Sequence, residues 1–237
     1  KIMTRSFYFV VTLLFSSGLA FGETETDPFE SWNRAMFAFN QKADSYVLSP
    51  VAKGYRAITP KPVRTGVSNF FNNLGEPITA VNSVLQAKPG KAVRSLTRFI
   101  FNSTIGLFGL FDVAGAMGIE REREDLGQTL AYWGVGSGPY LVLPILGPSN
   151  LRDLGGRIGD RPLSPVDWQN EVGVTELMIA DGIQTRAQLP MELKSVGDPY
   201  VLMRSAYEQR RRYEINDGIV VDLFLDDPFL DETSSAQ

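Results

Sequence analysis

The sequence predicts a mainly α protein, and three observations carry that prediction. Apolar residues recur at helical spacing in several stretches, two Asp-Pro steps stand where helices would begin, and only one region reads as extended chain. With 237 residues, 43% of them apolar and 21% charged, the chain has the composition of an ordinary folded protein with enough length for a sizeable core.

Taken in order, the first segment is an address. Lys1 and Arg5 precede an apolar run from Phe7 to Phe15, and small residues lead to Ala20-Phe21-Gly22. A basic start, a short greasy stretch and small residues three apart are the marks of a secretory signal peptide, assigned to residues 1–22. Asp27-Pro28 with Glu30 supplies a cap, a proline for the first helical position and an acid for the first turn of a helix carrying Trp32, Met36, Phe37 and Phe39. Between 63 and 74, Val63, Val67, Phe70, Phe71 and Leu74 share one face, opposite Thr65, Ser68, Asn69, Asn72 and Asn73. From 91 to 100 the division is cleaner: Ala92, Val93, Leu96, Phe99 and Ile100 oppose Lys91, Arg94 and Arg98. Residues 130–146 are the extended exception, where Tyr132-Trp133 and Tyr140–Leu143 flank a glycine-rich run as a hairpin or irregular loop. The stretch 174–189 is apolar on two sides, Val174, Leu177 and Met178 against Ile179 and Ile183, as in a sandwiched helix. Asp198-Pro199 opens a helix through Tyr200, Met203 and Tyr207 that stops before Gly218. A helical domain over 23–218 and an acidic, disordered tail over 219–237 complete the organisation.

Charge and residue usage exclude more chemistry than they suggest. Lys and Arg total 23 against 27 Asp and Glu, and the resulting net charge of −4 argues against a nucleic-acid binder. No cysteine and no histidine occur, so thiolate sites, Ser-His-Asp triads and histidine metal clusters are impossible within this chain. Asp153, Asp160 and Asp167 stand seven apart, on a Gly- and Pro-broken segment not expected to be one helix. Such a set could in principle serve a carboxylate hydrolase or a metal, but no motif supports either. Gly134, Gly136 and Gly138 resemble a phosphate-cradling loop only superficially, because Pro139 and a strand follow where a helix should begin. Salt bridging accounts for Arg210-Arg211-Arg212 near a helix end, with Glu208 four residues before Arg212.

The unusual feature is 99–119, which holds 21 residues and one charge, Asp112. Phe99, Phe101, Leu107, Phe108, Leu110 and Phe111 give it bulk, and glycines stand at 106, 109, 115 and 118. Length alone would permit a membrane span of about 20 residues. The glycines, Asn102-Ser103-Thr104 and the cost of a mid-span Asp, roughly 2.5–3.5 kcal/mol, oppose it. A buried hairpin and a segment dipping into one leaflet remain as the other readings. Lys91, Arg94 and Arg98 opposite an apolar stripe make the preceding helix an interfacial candidate whose basic face would meet anionic head groups.

A resemblance then emerges from Asp27-Pro28-Phe29-Glu30-Ser31-Trp32-Asn33-Arg34 and continues through Val67-Ser68-Asn69-Phe70-Phe71-Asn72-Asn73-Leu74. It is strongest at Gly109-Leu110-Phe111-Asp112-Val113-Ala114-Gly115 and Gly127-Gln128-Thr129-Leu130. Trp133 to Tyr140, Arg152-Asp153, Thr185 to Leu189 and Asp198-Pro199-Tyr200 extend it over about 27–215. Over that span the chain resembles the MlaA/VacJ family of outer-membrane phospholipid-transport lipoproteins. The resemblance implies a ring-like bundle of amphipathic helices with a central channel, lying in the periplasmic leaflet of a Gram-negative outer membrane. It further implies that the protein is no enzyme and uses no cofactor. Mislocalised phospholipid would leave the outer leaflet through it, with a trimeric porin and a periplasmic lipid carrier as partners. The family's lipid-bearing cysteine has no counterpart among these residues, so amphipathic helices or the porin would hold the protein at the membrane.

On this reading Phe101, Leu107, Phe108, Leu110 and Phe111 meet acyl chains or the leaflet. Gly134, Gly136, Gly138 and Pro139 form a gate at the channel. The alternative is an exported soluble carrier of phospholipid or another hydrophobe.

Overall fold

The computed structural model describes residues 27–164, 180–186 and 197–219. The signal-peptide segment, most of 174–189, Asp167 and the tail beyond 219 lie outside the described residues. The expected mainly α architecture with one short hairpin is what forms. Helices α1 (Glu30–Ala43) and α2 (Ser49–Ile58) are joined without a break by a π-helical turn, Asp44–Leu48. Pro50 lacks the N–H that would bond back to the preceding turn, and the helix widens there, Ser49 N–H bonding to Asp44 O. Next come α3 (Lys61–Leu74), α4 (Glu76–Leu85), α5 (Pro89–Thr104) and a one-turn helix, α6 (Val113–Ala116). Helix α7 (Leu126–Tyr132), strands β1 (Tyr140–Leu143) and β2 (Gly147–Asn150), α8 (Leu151–Asp160) and α9 (Pro199–Ile215) complete the elements, with 180–186 also helical.

The hairpin sits one element later than the glycine-rich run implied. Tyr132 closes α7 instead of pairing, and β1 pairs antiparallel with β2 from Tyr140↔Asn150 to Leu143↔Gly147. The free edge of β1 is covered by α1 through two asparagines two helical turns apart. Asn33 accepts from Val142 N–H at 2.7 Å and donates to Tyr140 O at 3.0 Å. Asn40 does the same for Ile145 N–H at 2.7 Å and Leu143 O at 2.9 Å. Each amide stands in for a neighbouring strand and satisfies a row of edge groups.

Asp27 does cap the chain entering α1, but one turn early: its carboxylate accepts Phe29 N–H at 3.0 Å and the Asn33 amide, and the helix itself starts at Glu30. Asp198 caps α9 as expected, and the helix ends ahead of Gly218, whose φ of +83° suits the left-handed turn. The segment that carries Asp153 and Asp160 breaks after Asp160, as expected, where the 3-10 turn Arg161–Leu163 follows, and both acids lie on helix α8 before the break. Helix α8 runs through three glycines because it packs on α7 almost backbone to backbone, with Gly156 facing Gly127. A Cβ on Gly156 would collide with the Gly127 main chain, whereas one on Gly155 meets nothing within 4 Å. Gly156→Ala is therefore expected to destabilise by about 1–3 kcal/mol through overpacking. Gly155→Ala is expected to stabilise by about 0.5–1 kcal/mol through helix propensity. Chemical unfolding of the two variants side by side checks both signs.

The core has an unusual composition. Among the described residues, nineteen polar or charged residues are buried against seven apolar ones, and four of those seven are alanine. Only Tyr140, Val142 and Tyr200, with Met36, Phe37, Met203 and Tyr207 around them, form a conventional apolar cluster. Meanwhile Val93, Leu96 and Ile100 on α5, Val81, Val84 and Leu85 on α4, and Val47, Val51 and Ile58 along α2 and its π-helical turn are exposed. Polarity is inverted relative to a protein built for water.

Candidate lipid-facing site

Helix α5 shows how the inversion arises. Its inward stripe is Ala92, Ser95, Arg98 and Asn102, small and polar residues spaced three and four apart. They face the Thr79, Ala80 and Ser83 side of α4, so the two helices approach closely, as helices do where packing cannot rely on water-driven burial. The outward stripe is aliphatic.

This overturns the expectation for Lys91, Arg94 and Arg98 as a free basic face. Arg98 is 3% exposed, and its Nε donates to Glu76 Oε1 at 2.9 Å while Nη2 meets Asp112 Oδ1 at 2.9 Å. Its third arm caps Ile119 O. Lys91 is held by Glu124 at 2.7 Å, Glu122 at 3.1 Å and Asp217 at 2.7 Å. Arg94 is half exposed but paired with Glu122. Five acids distant in sequence answer this basic face, because buried charge must be paired.

Around Arg98 the polar centre is continuous. Burial pushes the Glu76 carboxyl above its usual range, opposed by its bond to Arg98. Asp112 is also pushed up by burial, but Gly115 N–H, Arg98 and Asn102 outweigh this and hold it below the usual range. Arg121, 3.5 Å from Glu76, is lowered to about 10 by burial and by Arg123. A second network joins Asn82 to Asp160 at 2.8 Å, Thr129 to Asn82 at 2.7 Å, and Gln86 to Glu124 at 2.9 Å.

The segment 99–119 resolves into the end of α5, a tight loop over 105–112 and α6. It is neither a span nor a buried hairpin. Phe108 is 77% exposed and Phe111 60%, with Leu107 and Leu110 also outward, whereas Phe101 is half buried on α5. Yet the loop's backbone is satisfied from within. Phe108 N–H bonds to Ser103 O at 3.0 Å, Gly109 N–H to Asn102 O at 2.8 Å and Phe111 N–H to Gly106 O at 2.9 Å. Asn69 of α3 covers Leu110 O at 3.2 Å. Gly109, at φ +94°, lies so close to Asn73 that a Cβ would stand 2.6 Å from the asparagine Cβ. Leu107 and Phe108 themselves adopt positive φ, +50° and +59°, which turns both side chains outward at the cost of backbone strain. Most of the loop's N–H groups are thus paired while its large side chains stand outside, which lowers the cost of placing irregular chain against an apolar medium.

In the glycine-rich run, Gly134 and Gly136 are exposed and Gly138 and Pro139 half buried. The first turn of α8 holds the run: Arg152 N–H bonds to Ser137 O at 3.1 Å and Leu151 N–H to Pro139 O at 3.2 Å. Asp153 and Asp160 share α8 but not a site. Asp153 is bound by Arg211, Arg152, Asn150 and Tyr207, and Asp160 by Asn82 and Leu126 N–H, so both carboxylates serve as structural acceptors. Glu208 pairs with Arg204 rather than Arg212. Asn33, Asn40 and Arg211, which organise the hairpin and the α7–α9 junction, were not singled out by periodicity; the i, i+7 asparagines of α1 were the available sign.

Amides and ion pairs at the centre, with aliphatic and aromatic side chains turned outward, define a helical bundle with an apolar exterior. No helix among the described residues is long and apolar enough to cross a membrane. The chain belongs to the MlaA lipoprotein family, whose model matches residues 25–214. It is 41% identical over 203 residues to the intermembrane phospholipid transport system lipoprotein MlaA of Escherichia coli, covering 81% of this chain and 80% of that one. The protein of the same description from Haemophilus influenzae is 35% identical over 209 residues, covering 83% and 82%. A solved structure, described as the structural basis for maintenance of bacterial outer membrane lipid asymmetry, superposes with a TM-score of 0.74 at 38% identity, covering 81% of this chain and all of that one.

Proposed function

We propose that the protein withdraws mislocalised phospholipid from the outer leaflet of the outer membrane and passes it towards the inner membrane, a transport step in which no bond is made or broken. The observation that carries this reading is the inverted polarity, a charged and amide-rich centre inside an aliphatic exterior. The role in the name of the Escherichia coli relative and the lipid-asymmetry setting of the structural relative point the same way. Moving a lipid out of a bilayer without shelter costs about 0.8 kcal/mol for each CH₂ brought into water. A polar interior gives the head group a path, and apolar outer surfaces keep the tails out of water. Leu107, Phe108, Leu110 and Phe111 sit in the hydrocarbon of the periplasmic leaflet. Gly134, Gly136, Gly138 and Pro139 gate the passage, held at rest by the first turn of α8. A trimeric porin keeps the protein in place, and a soluble periplasmic carrier receives the lipid.

A deletion strain tests the reading directly. Surface-exposed phospholipid and detergent sensitivity should both rise, and the intact gene should restore them. An unchanged outer-leaflet composition would overturn it.

A further inference from the structure

Between α7, α8, α9 and the hairpin lies a cavity of about 320 Å³, in the size range of small-ligand sites. Its wall contains four arginines and three carboxylates, with Leu146 and Pro148 of the hairpin on one side. Most of this charge is already committed. Arg211 bridges Asp125 at 2.6 Å and Asp153 at 2.7 Å, and Arg210 bonds Glu214 at 2.8 Å. Burial pushes the Asp125 carboxyl up, but Arg211 and Gln128 N–H outweigh it and hold it below the usual range. Arg123 and Arg157 differ. Both are exposed at the cavity, and among the described residues neither has a carboxylate within ion-pair distance; Arg123 reaches only the Asn72 side chain, at 3.2 Å.

From this geometry we infer that the cavity binds the phosphate diester of a glycerophospholipid head group, with Arg123 and Arg157 as the anion-binding pair. Guanidinium groups match phosphate oxygens two at a time, and two uncommitted ones beside an otherwise neutralised wall leave net positive charge for one anion. The apolar side distinguishes lipid from free phosphate. Leu146 and Pro148 adjoin Ile145, which is exposed at the hairpin tip, so the glycerol end of a lipid finds apolar surface that inorganic phosphate would leave unused. This inference rests on the transport reading and adds to it a residue-level site for the head group.

The test is calorimetric titration of the full chain in detergent with dihexanoyl phosphatidylglycerol, inorganic phosphate and uncharged dihexanoylglycerol. The wild type should bind the phospholipid at least tenfold more tightly than either other probe. Combining Arg123→Gln with Arg157→Gln should weaken phospholipid binding at least tenfold while the protein stays folded, with a melting temperature close to that of the wild type, since both side chains are exposed and neither is held by an ion pair among the described residues. Arg157→Lys, which keeps the charge, should lose only a few-fold, and Arg94→Gln on α5 should change nothing. Phospholipid binding unaltered in the double variant overturns the site while leaving the transport reading intact. Inorganic phosphate bound as tightly as the lipid also overturns it, in favour of a free-anion site. Failure of the wild type to bind phospholipid at all counts against the transport reading and the site together.

Discussion

Replacing Leu107 and Phe108 together by aspartate is expected to release the protein from membranes while leaving it folded. Both side chains project from the 105–112 loop, 56% and 77% exposed, so neither supports the interior. Withdrawing a buried Leu and Phe from hydrocarbon forfeits about 1.5–3 kcal/mol each, before any penalty for the new charges. A combined loss of at least about 4 kcal/mol corresponds to a roughly thousandfold weaker partitioning. The backbone should tolerate the change well. Positive φ is unfavourable for Leu and Phe, whereas Asp visits that region far more readily, so the variant should melt no lower than the wild type. Liposome flotation with a parallel thermal melt reads both quantities. A variant that still floats would show that the tip is not the membrane contact, and one that unfolds would show that it is core.

Arg98→Met should produce the largest loss of stability from one substitution. The guanidinium ties Glu76 on α4, Asp112 and Ile119 O to α5. Removing it strands a Glu76 carboxylate that is 1% exposed, with only the more distant Arg121 guanidinium left to answer it. Breaking a buried pair from one side costs about 3–5 kcal/mol, because the remaining charge keeps its desolvation penalty. For a chain of this size that is a fall in melting temperature of about 6–20 °C. Adding Glu76→Gln to Arg98→Met should recover part of the loss, since an uncharged amide is cheaper to bury. Differential scanning calorimetry of the wild type, the single variant and the double variant provides the comparison. A single variant melting within two degrees of wild type, by way of a rough threshold from the same scaling, would mean that the pair contributes no net stability.

Several elements could be read from residues alone. The Asp198 cap, the α5 amphipathicity and the apolar stretch around 107–111 all appear where the spacing put them. The strand expected at Tyr140–Leu143 forms, but it pairs with Gly147–Asn150 rather than with Tyr132-Trp133, and Gly-Pro-Ser-Asn contains no β-branched or aromatic residue to mark it as a strand. Asn33 and Asn40 on α1 face inward because a strand edge lies opposite, a fact that no local window contains. The break expected in the segment of Asp153 and Asp160 comes at Arg161-Pro162, whereas Gly155, Gly156 and Gly159 are carried inside α8, because the backbone contact between α7 and α8 outweighs their low helix propensity.

The deepest division concerns α5. Periodicity established that the helix has an aliphatic face and a basic one, and composition placed an uncharged, phenylalanine-rich stretch immediately after it. Neither could say which face points inward. An amphipathic helix obeys its surroundings: in water the aliphatic face is buried, and against lipid it is turned out while the polar face seeks partners within the protein. Arg98 lies inside because Glu76 and Asp112, 22 and 14 positions away along the chain, meet it there. Pairing across such separations is decided when helices assemble, since only assembly brings the compensating charge within reach of a group that could not otherwise leave water.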